Sequence, residues 1–281
     1  MHILQSIIMG IVQGLSEFLP ISSSAHLVIT SNLYKVLNDI PIQQESSQEV
    51  LVDIMLHLGT LVAVLVYFRK DIWEILKAFL LAIKNRNFTD EKARIALYIL
   101  LGTIITVFIA FPLNELAEGL IFAPAAVGLL LILTGFLLFA AEEYSKRLEN
   151  KSQEITLKSS IMMAIAQGLA ALPGFSRSGL TIATGLLCKK DRVTAAKYSF
   201  LLSIPIILGA SMVYPIIKIN FSELATYNWT AIITGTIVSG IVGYICIKYF
   251  LKFVGKYSLA FFGYYCIIVG VVTFVFFNIV K

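Results

Sequence analysis

Gln13-Gly14-Leu15-Ser16-Glu17-Phe18-Leu19-Pro20-Ile21-Ser22-Ser23-Ser24-Ala25-His26 and Gln167-Gly168-Leu169-Ala170-Ala171-Leu172-Pro173-Gly174-Phe175-Ser176-Arg177-Ser178-Gly179 are two versions of one pattern. Each leads an apolar helical stretch into Gln-Gly-Leu, breaks at Pro and restarts through hydroxyl residues. In a bilayer such a break survives only where protein or a cavity satisfies the freed backbone groups. Both islands therefore mark a buried site.

The chain around them is 281 residues long, 58% hydrophobic and only 14% charged, with apolar runs as long as a bilayer is thick. This composition excludes an ordinary soluble domain. The net charge of +5 does not indicate nucleic acid, because the basic residues lie in short loops between apolar runs, where they orient helices. Cys188, Cys246 and Cys266 have no paired spacing and read as packing residues. A signal peptide over the first residues is a weak reading, since no Lys or Arg precedes the apolar stretch and Gln13 and Glu17 interrupt it.

Windows of about 20 apolar residues predict six spans, near 51–69, 94–112, 121–141, 195–217, 229–249 and 258–279. The island regions 1–33 and 157–187 are apolar but broken at Pro, and are expected to be re-entrant hairpins. Basic residues crowd segments 69–94, 146–158 and 189–197 and recur at Lys248, Lys252 and Lys256. The opposite side has Lys35, Lys218 and Lys281 against Asp39, Glu45, Glu49, Glu115, Glu118 and Glu223, so both termini are expected outside. Three spans per half bring the second island in from the face opposite to the first. The expected fold is one all-α integral membrane domain, 1–281, in which 1–141 and 157–281 form an inverted-topology repeat. Aligning the islands needs one gap between Gln-Gly-Leu and Pro.

Arg177 is the only Lys or Arg away from the ends of the apolar regions, where a helix-centre Arg costs about 2.5 to 3.5 kcal/mol on insertion scales. It either pairs with Glu17 or binds an anion. A guanidinium flanked by Ser176 and Ser178 after the Pro173-Gly174 turn is suited to phosphate oxygens. Thr181 lies one turn on, as a ligand contact or an ordinary helix hydroxyl. In the first island Ser22, Ser23 and Ser24 can cap the new helix, while His26, at i+4 from Ser22 and i+3 from Ser23, can share a face with a hydroxyl as base or leaving-group acid. Glu17, one turn after Gln13, can ligate a hard cation, orient water or hold Arg177. Asp53 and His57 are expected at the interface or behind the site.

Gln-Gly-x-x-Glu-Phe-Leu-Pro-x-Ser-Ser-x-x-His together with Pro-Gly-x-Ser-Arg-Ser-Gly resembles the undecaprenyl pyrophosphate phosphatase (bacitracin resistance protein) family, over essentially the whole chain and including His57-Leu58-Gly59-Thr60-Leu61. The resemblance implies a multi-pass hydrolase of the bacterial inner membrane that converts undecaprenyl diphosphate to undecaprenyl phosphate for cell-wall synthesis, with its site toward the outer face. Its motifs fall on Gln13 and Glu17, on Ser22, Ser23 and His26, and on Ser176, Arg177, Ser178 and Gly179. The expected catalytic set is Glu17, Ser23, His26 and Arg177, with Gln13, Ser22, Ser24, Gly174, Ser176, Ser178 and Thr181 binding substrate. The resemblance also implies a divalent cation, Mg2+ or Ca2+, on Glu17. The chain departs from many members at Gln13, where they carry Glu, and at Ala25, where they carry Gly. Expected partners are a polyprenyl diphosphate and membrane lipids, with a homodimer compatible and nucleic acid excluded. An inverted-repeat transporter or flippase for an anionic or lipid-phosphate substrate is the rival reading.

Overall fold

The computed structural model describes residues 3–39, 41, 47–219 and 221–279. Met1, His2, Glu45 and Lys281, used above for the hairpin limit and the charge balance, lie outside the described residues. The described residues form twelve α-helices in order: α1 (Ile3–Ser16), α2 (Ser23–Leu37), α3 (Ser47–Tyr67), α4 (Arg69–Asn85), α5 (Glu91–Ala110), α6 (Asn114–Ile121), α7 (Pro124–Lys146), α8 (Leu157–Leu169), α9 (Arg177–Leu187), α10 (Arg192–Lys218), α11 (Trp229–Val254) and α12 (Ala260–Ile279). Short 3-10 turns link α5 to α6 and α10 to α11.

Six of the described segments are long and apolar enough to cross a membrane: Ser47–Tyr67, Glu91–Ile121, Pro124–Lys146, Arg192–Lys218, Trp229–Val254 and Ala260–Ile279. They coincide with the six expected spans, and the chain is an all-helical, multi-pass membrane protein. The island regions form two helix–break–helix units, α1–α2 and α8–α9, whose helices have 11 to 15 residues. At 1.5 Å per residue none of the four reaches across about 30 Å of hydrocarbon. Segment 69–94, expected as a loop, holds the 17-residue helix α4. Its apolar periodicity was hidden by the density of Lys and Arg.

The helices approach closely through small residues, as they do where lipid outside is as apolar as the seam within. On α7, Gly128 and Gly135 lie against Gly270 and Gly263 of α12, and a Cβ on Gly270 would stand 2.6 Å from the Gly128 carbonyl oxygen. The central core packs Phe18, at the tip of the first unit, edge-on to Phe200 of α10 with ring centroids 5.3 Å apart, and both rings are fully buried.

The two breaks are held by side chains that satisfy the carbonyls released where the helices stop. Cys246 Sγ donates to the Leu15 carbonyl, Ser178 Oγ to Leu19, Cys266 Sγ to Pro20, Thr134 Oγ1 to Gly174, and Ser22 Oγ to Phe175. The three cysteines are free thiols, as their spacing indicated, and Cys246 and Cys266 serve the packing of the first tip. Gly174 has φ +108°, and a Cβ there would lie 2.6 Å from both Leu130 Cβ and the Val127 carbonyl oxygen of α7. Gly174→Ala is therefore expected to cost about 3 kcal/mol through backbone strain and overpacking, read as a fall of about 10 °C in Tm for the detergent-solubilised protein.

Candidate active site

Glu17 follows immediately on the end of α1, and its carboxylate is 5% exposed. Arg177, the first residue of α9, donates from Nη2 to Glu17 Oε1 at 2.6 Å, joining positions 160 residues apart. Ser23, the first residue of α2, donates from its hydroxyl to Glu17 Oε2 at 2.7 Å, and Gln13 Nε2 donates to the same oxygen at 3.0 Å. One buried carboxylate thus gathers a guanidinium, a hydroxyl and an amide from both units. The Arg177 Nη1 and Gln13 Oε1 atoms are buried without a hydrogen-bond partner among the described residues, and polar atoms left so are expensive unless a ligand satisfies them.

The serines around this cluster divide by role. Ser22 and Ser176 are the N-caps of α2 and α9, accepting from Ala25 N at 3.2 Å and Gly179 N at 3.0 Å. Their hydroxyls contact those of Ser24 and Ser178 at 3.2 and 3.3 Å. Ser22 Oγ donates across to the Phe175 carbonyl at 3.2 Å and Ser178 Oγ to the Leu19 carbonyl at 2.9 Å, a reciprocal lock between the two tips. Ser22, Ser176 and Ser178 are buried. Ser22 sits at φ 70°, ψ 96°, a sparsely populated conformation for a residue with a side chain. Strain at the first tip therefore falls on Ser22, while Ala25 lies within α2.

Four expected site residues make their hydrogen bonds outside the Glu17 cluster. Both ring nitrogens of His26 are engaged away from Ser23: Nδ1 lies 2.7 Å from the Ser22 carbonyl, which only accepts, and Nε2 lies 2.8 Å from the Tyr265 hydroxyl on α12, with the two rings stacked. The i+3 and i+4 spacing did bring His26 to Ser22, but to its backbone, because helical carbonyls point toward the side chain one turn on. Thr181 bonds the Arg177 and Ser178 carbonyls and the Ser199 hydroxyl of α10, all within the packed interior. Gly174 faces α7, and Ser176 caps α9 there, its own N–H donating to Thr134 Oγ1 at 3.2 Å.

The structure also brings further residues to the cluster, His57 among them. His57 on α3, expected at the interface or behind the site, places Nε2 3.7 Å from Glu17 Oε2 and bonds the Asp53 carbonyl through Nδ1 at 2.9 Å, so it stands directly behind the carboxylate. Thr60, one turn further along the same helix, accepts from Gln13 Nε2 at 3.5 Å. Thr134, Cys246, Cys266 and Tyr265 support the tips. The i,i+4 spacing of Asp53 and His57 was a visible signal, whereas a Thr or Cys inside an apolar span looks like any other packing residue.

A hydroxyl bonded to a carboxylate that is itself ion-paired, beside an unpaired guanidinium nitrogen and between two helix N-termini, can activate an oxygen nucleophile against a phosphoryl group. Comparison with known proteins agrees in extent. The model of one protein family, described as bacitracin resistance protein BacA, matches residues 6–272, which include both tips and α3. The undecaprenyl-diphosphatase of Methanobrevibacter smithii is 40% identical, over 98% of this chain and 97% of the relative. That of Halothermothrix orenii is 39% identical, over 96% of both, and that of Methanosphaera stadtmanae 37% identical, over 98% of both. With the paired tips and near full-length similarity in hand, the chain is a member of the BacA family.

Proposed function

We propose that this protein hydrolyses undecaprenyl diphosphate to undecaprenyl phosphate and inorganic phosphate, recycling the lipid carrier of cell-wall synthesis. The observation that carries this reading is the Ser23–Glu17–Arg177 chain of hydrogen bonds, which unites the two broken helices at one buried point. The diphosphate lies between the tips with its polyprenyl tail in lipid. Arg177 Nη1 and the N-termini of α2 and α9 neutralise the phosphoryl oxygens.

In the first step Glu17 accepts the Ser23 proton as Ser23 Oγ bonds to the terminal phosphorus. The bond from that phosphorus to the bridging oxygen breaks, and undecaprenyl phosphate leaves. In the second step water attacks the phosphoserine, frees inorganic phosphate and restores the hydroxyl. His26 Nε2, once it exchanges its bond to Tyr265, assists the proton of that water.

No group of three or more His, Cys, Asp or Glu side chains able to hold a metal is present among the described residues. Two protein oxygens nevertheless fit a divalent cation, Mg2+ or Ca2+. These are the Glu17 carboxylate and the partnerless Gln13 Oε1, with the substrate diphosphate and water as further ligands. When bound there, the cation would supply charge neutralisation on the diphosphate.

The membrane arrangement we infer is an inverted repeat with two re-entrant hairpins, in an inner membrane of a bacterial cell, with the site toward the outer face and both termini outside. Several features support it. Ser22 and Ser176 each follow their Gln by nine positions, so the tips align by their caps without the gap that Pro suggested. The lock between them is reciprocal, and the α7–α12 seam pairs its glycines antiparallel. Glu17 has Ala171 as its counterpart, so only the first unit carries the base.

The test is phosphate release by purified protein supplied with undecaprenyl diphosphate. One phosphate per lipid is expected, with undecaprenyl phosphate as the other product. Binding or transfer of the lipid between leaflets without phosphate release would instead favour the transporter reading. In cells, loss of the activity is expected to lower resistance to bacitracin, the phenotype in the family's name.

A further inference from the structure

Helix α4 lies outside the six spans, yet it presents a continuous apolar stripe. Trp73, Leu76, Leu80 and Ile83 recur at helical spacing and are 68, 48, 65 and 51% exposed. The opposite side of the helix holds Ile75 and Ala82, which are buried, so α4 already has its protein contact and the stripe is a second face. A row of lysines borders that stripe. Lys77 is four residues after Trp73, Lys84 four after Leu80, and Lys70 three before Trp73, which places each beside an exposed apolar residue. All three are exposed and form no ion pair among the described residues. Glu74, four residues after Lys70 and three before Lys77, lies beyond the lysine row on the same side, where it pairs with Lys92 of α5. The stripe also continues the lipid-facing surface of α3, whose last turns expose Leu65 and Val66.

An apolar face with Trp at its edge and a one-sided row of Lys is what an in-plane helix offers to a bilayer. The face enters the headgroup–acyl boundary, the Lys stems lie along it and the ammonium groups reach the phosphates. We propose that α4 is an interfacial helix whose Trp73–Leu76–Leu80–Ile83 face sinks into the leaflet at its end of the bundle and whose Lys70, Lys77 and Lys84 hold the headgroups of anionic phospholipids. Charge complementarity selects the anionic headgroup, and continuity with the lipid-facing surface of α3 selects the bilayer over a second protein.

The experiment uses the full chain with Trp229→Phe, which leaves Trp73 as the only tryptophan. The protein is placed in vesicles of phosphatidylcholine alone or of phosphatidylcholine with phosphatidylglycerol. Trp73 emission should be quenched by lipids brominated near the headgroup end of the chain and shielded from aqueous iodide. In mass spectrometry of the intact protein released from mixed vesicles, phosphatidylglycerol should be retained over phosphatidylcholine. Lys70→Gln/Lys77→Gln/Lys84→Gln should weaken that retention about a hundredfold, at about 1 kcal/mol for each Lys near an anionic surface. Iodide quenching without bromine quenching would place the stripe in water and overturn the proposal. Protection from both quenchers would assign the stripe to a protein or a second copy and overturn it equally. Equal retention of the two lipids by the unsubstituted Lys row would refute the headgroup assignment without relying on any Lys variant.

Discussion

Arg177→Ala is expected to lose phosphate release by about a thousandfold or more, the scale on which removing a fixed positive donor from a phosphoryl-transfer or oxyanion site acts. One guanidinium nitrogen holds Glu17 at 2.6 Å and the other is buried with no partner, so the side chain both orients the base and reaches for the substrate. The substitution also strands a carboxylate that is 5% exposed, and breaking a buried pair by deleting one member costs about 3 to 5 kcal/mol. Lost activity alone would not separate chemistry from unfolding. Two further variants do so. Arg177→Lys keeps the charge and removes the fork, and should remain folded, with kcat down about a hundredfold. Glu17→Gln removes the base without leaving an unpaired anion, and should abolish turnover while the protein stays monodisperse. Measured kcat within about tenfold of the unsubstituted protein for Arg177→Ala would rule out the site.

Ser23→Ala is the second decisive change, with an expected loss of at least about a thousandfold, since members of a catalytic unit fail together. Three consecutive serines offer three candidate nucleophiles, and the geometry separates them. Ser22 is held by its cap and by Phe175, Ser24 lies against Ser22, and Ser23 alone donates to Glu17. Ser22→Ala should therefore act on stability, by about 1 kcal/mol for a lost cap, and Ser24→Ala should act weakly on both stability and turnover. The direct measurement is acid quenching with a lipid diphosphate labelled in its terminal phosphoryl group. Label should enter the unsubstituted protein at Ser23 and be absent from Ser23→Ala. Turnover persisting in Ser23→Ala would make water the nucleophile and leave Ser23 as a support for Glu17.

Much of this molecule was legible in the chain. The six spans follow from the length of apolar runs, and the two broken helices follow from Pro and hydroxyls set in apolar sequence, since both signals are local. Arg177 and Glu17 stood out for an equally local reason, the cost of a charge at membrane depth. His26 illustrates the limit of spacing. It shares a face with Ser22 as expected, yet its ring turns to the Ser22 carbonyl and to Tyr265, a residue 239 positions away. His57 shows the converse, for its i,i+4 spacing to Asp53 left the interface and a place behind the site both open, and the α3 packing sets its ring beside Glu17.

The amino-acid order by itself determined that six segments are long and apolar enough to cross a membrane, that two others are interrupted, and which rare polar residues lie within the interruptions, because each depends only on neighbours within a turn or a span. Which hydroxyl meets the carboxylate, which serines merely lock one tip to the other, and which carbonyls receive Cys246, Cys266 and Thr134 were decided only by tertiary structure. Those contacts join residues more than a hundred positions apart in most cases. Their partners are selected by the requirement that every backbone group freed inside the hydrocarbon find a donor, a condition on the assembled bundle that no stretch of sequence states alone.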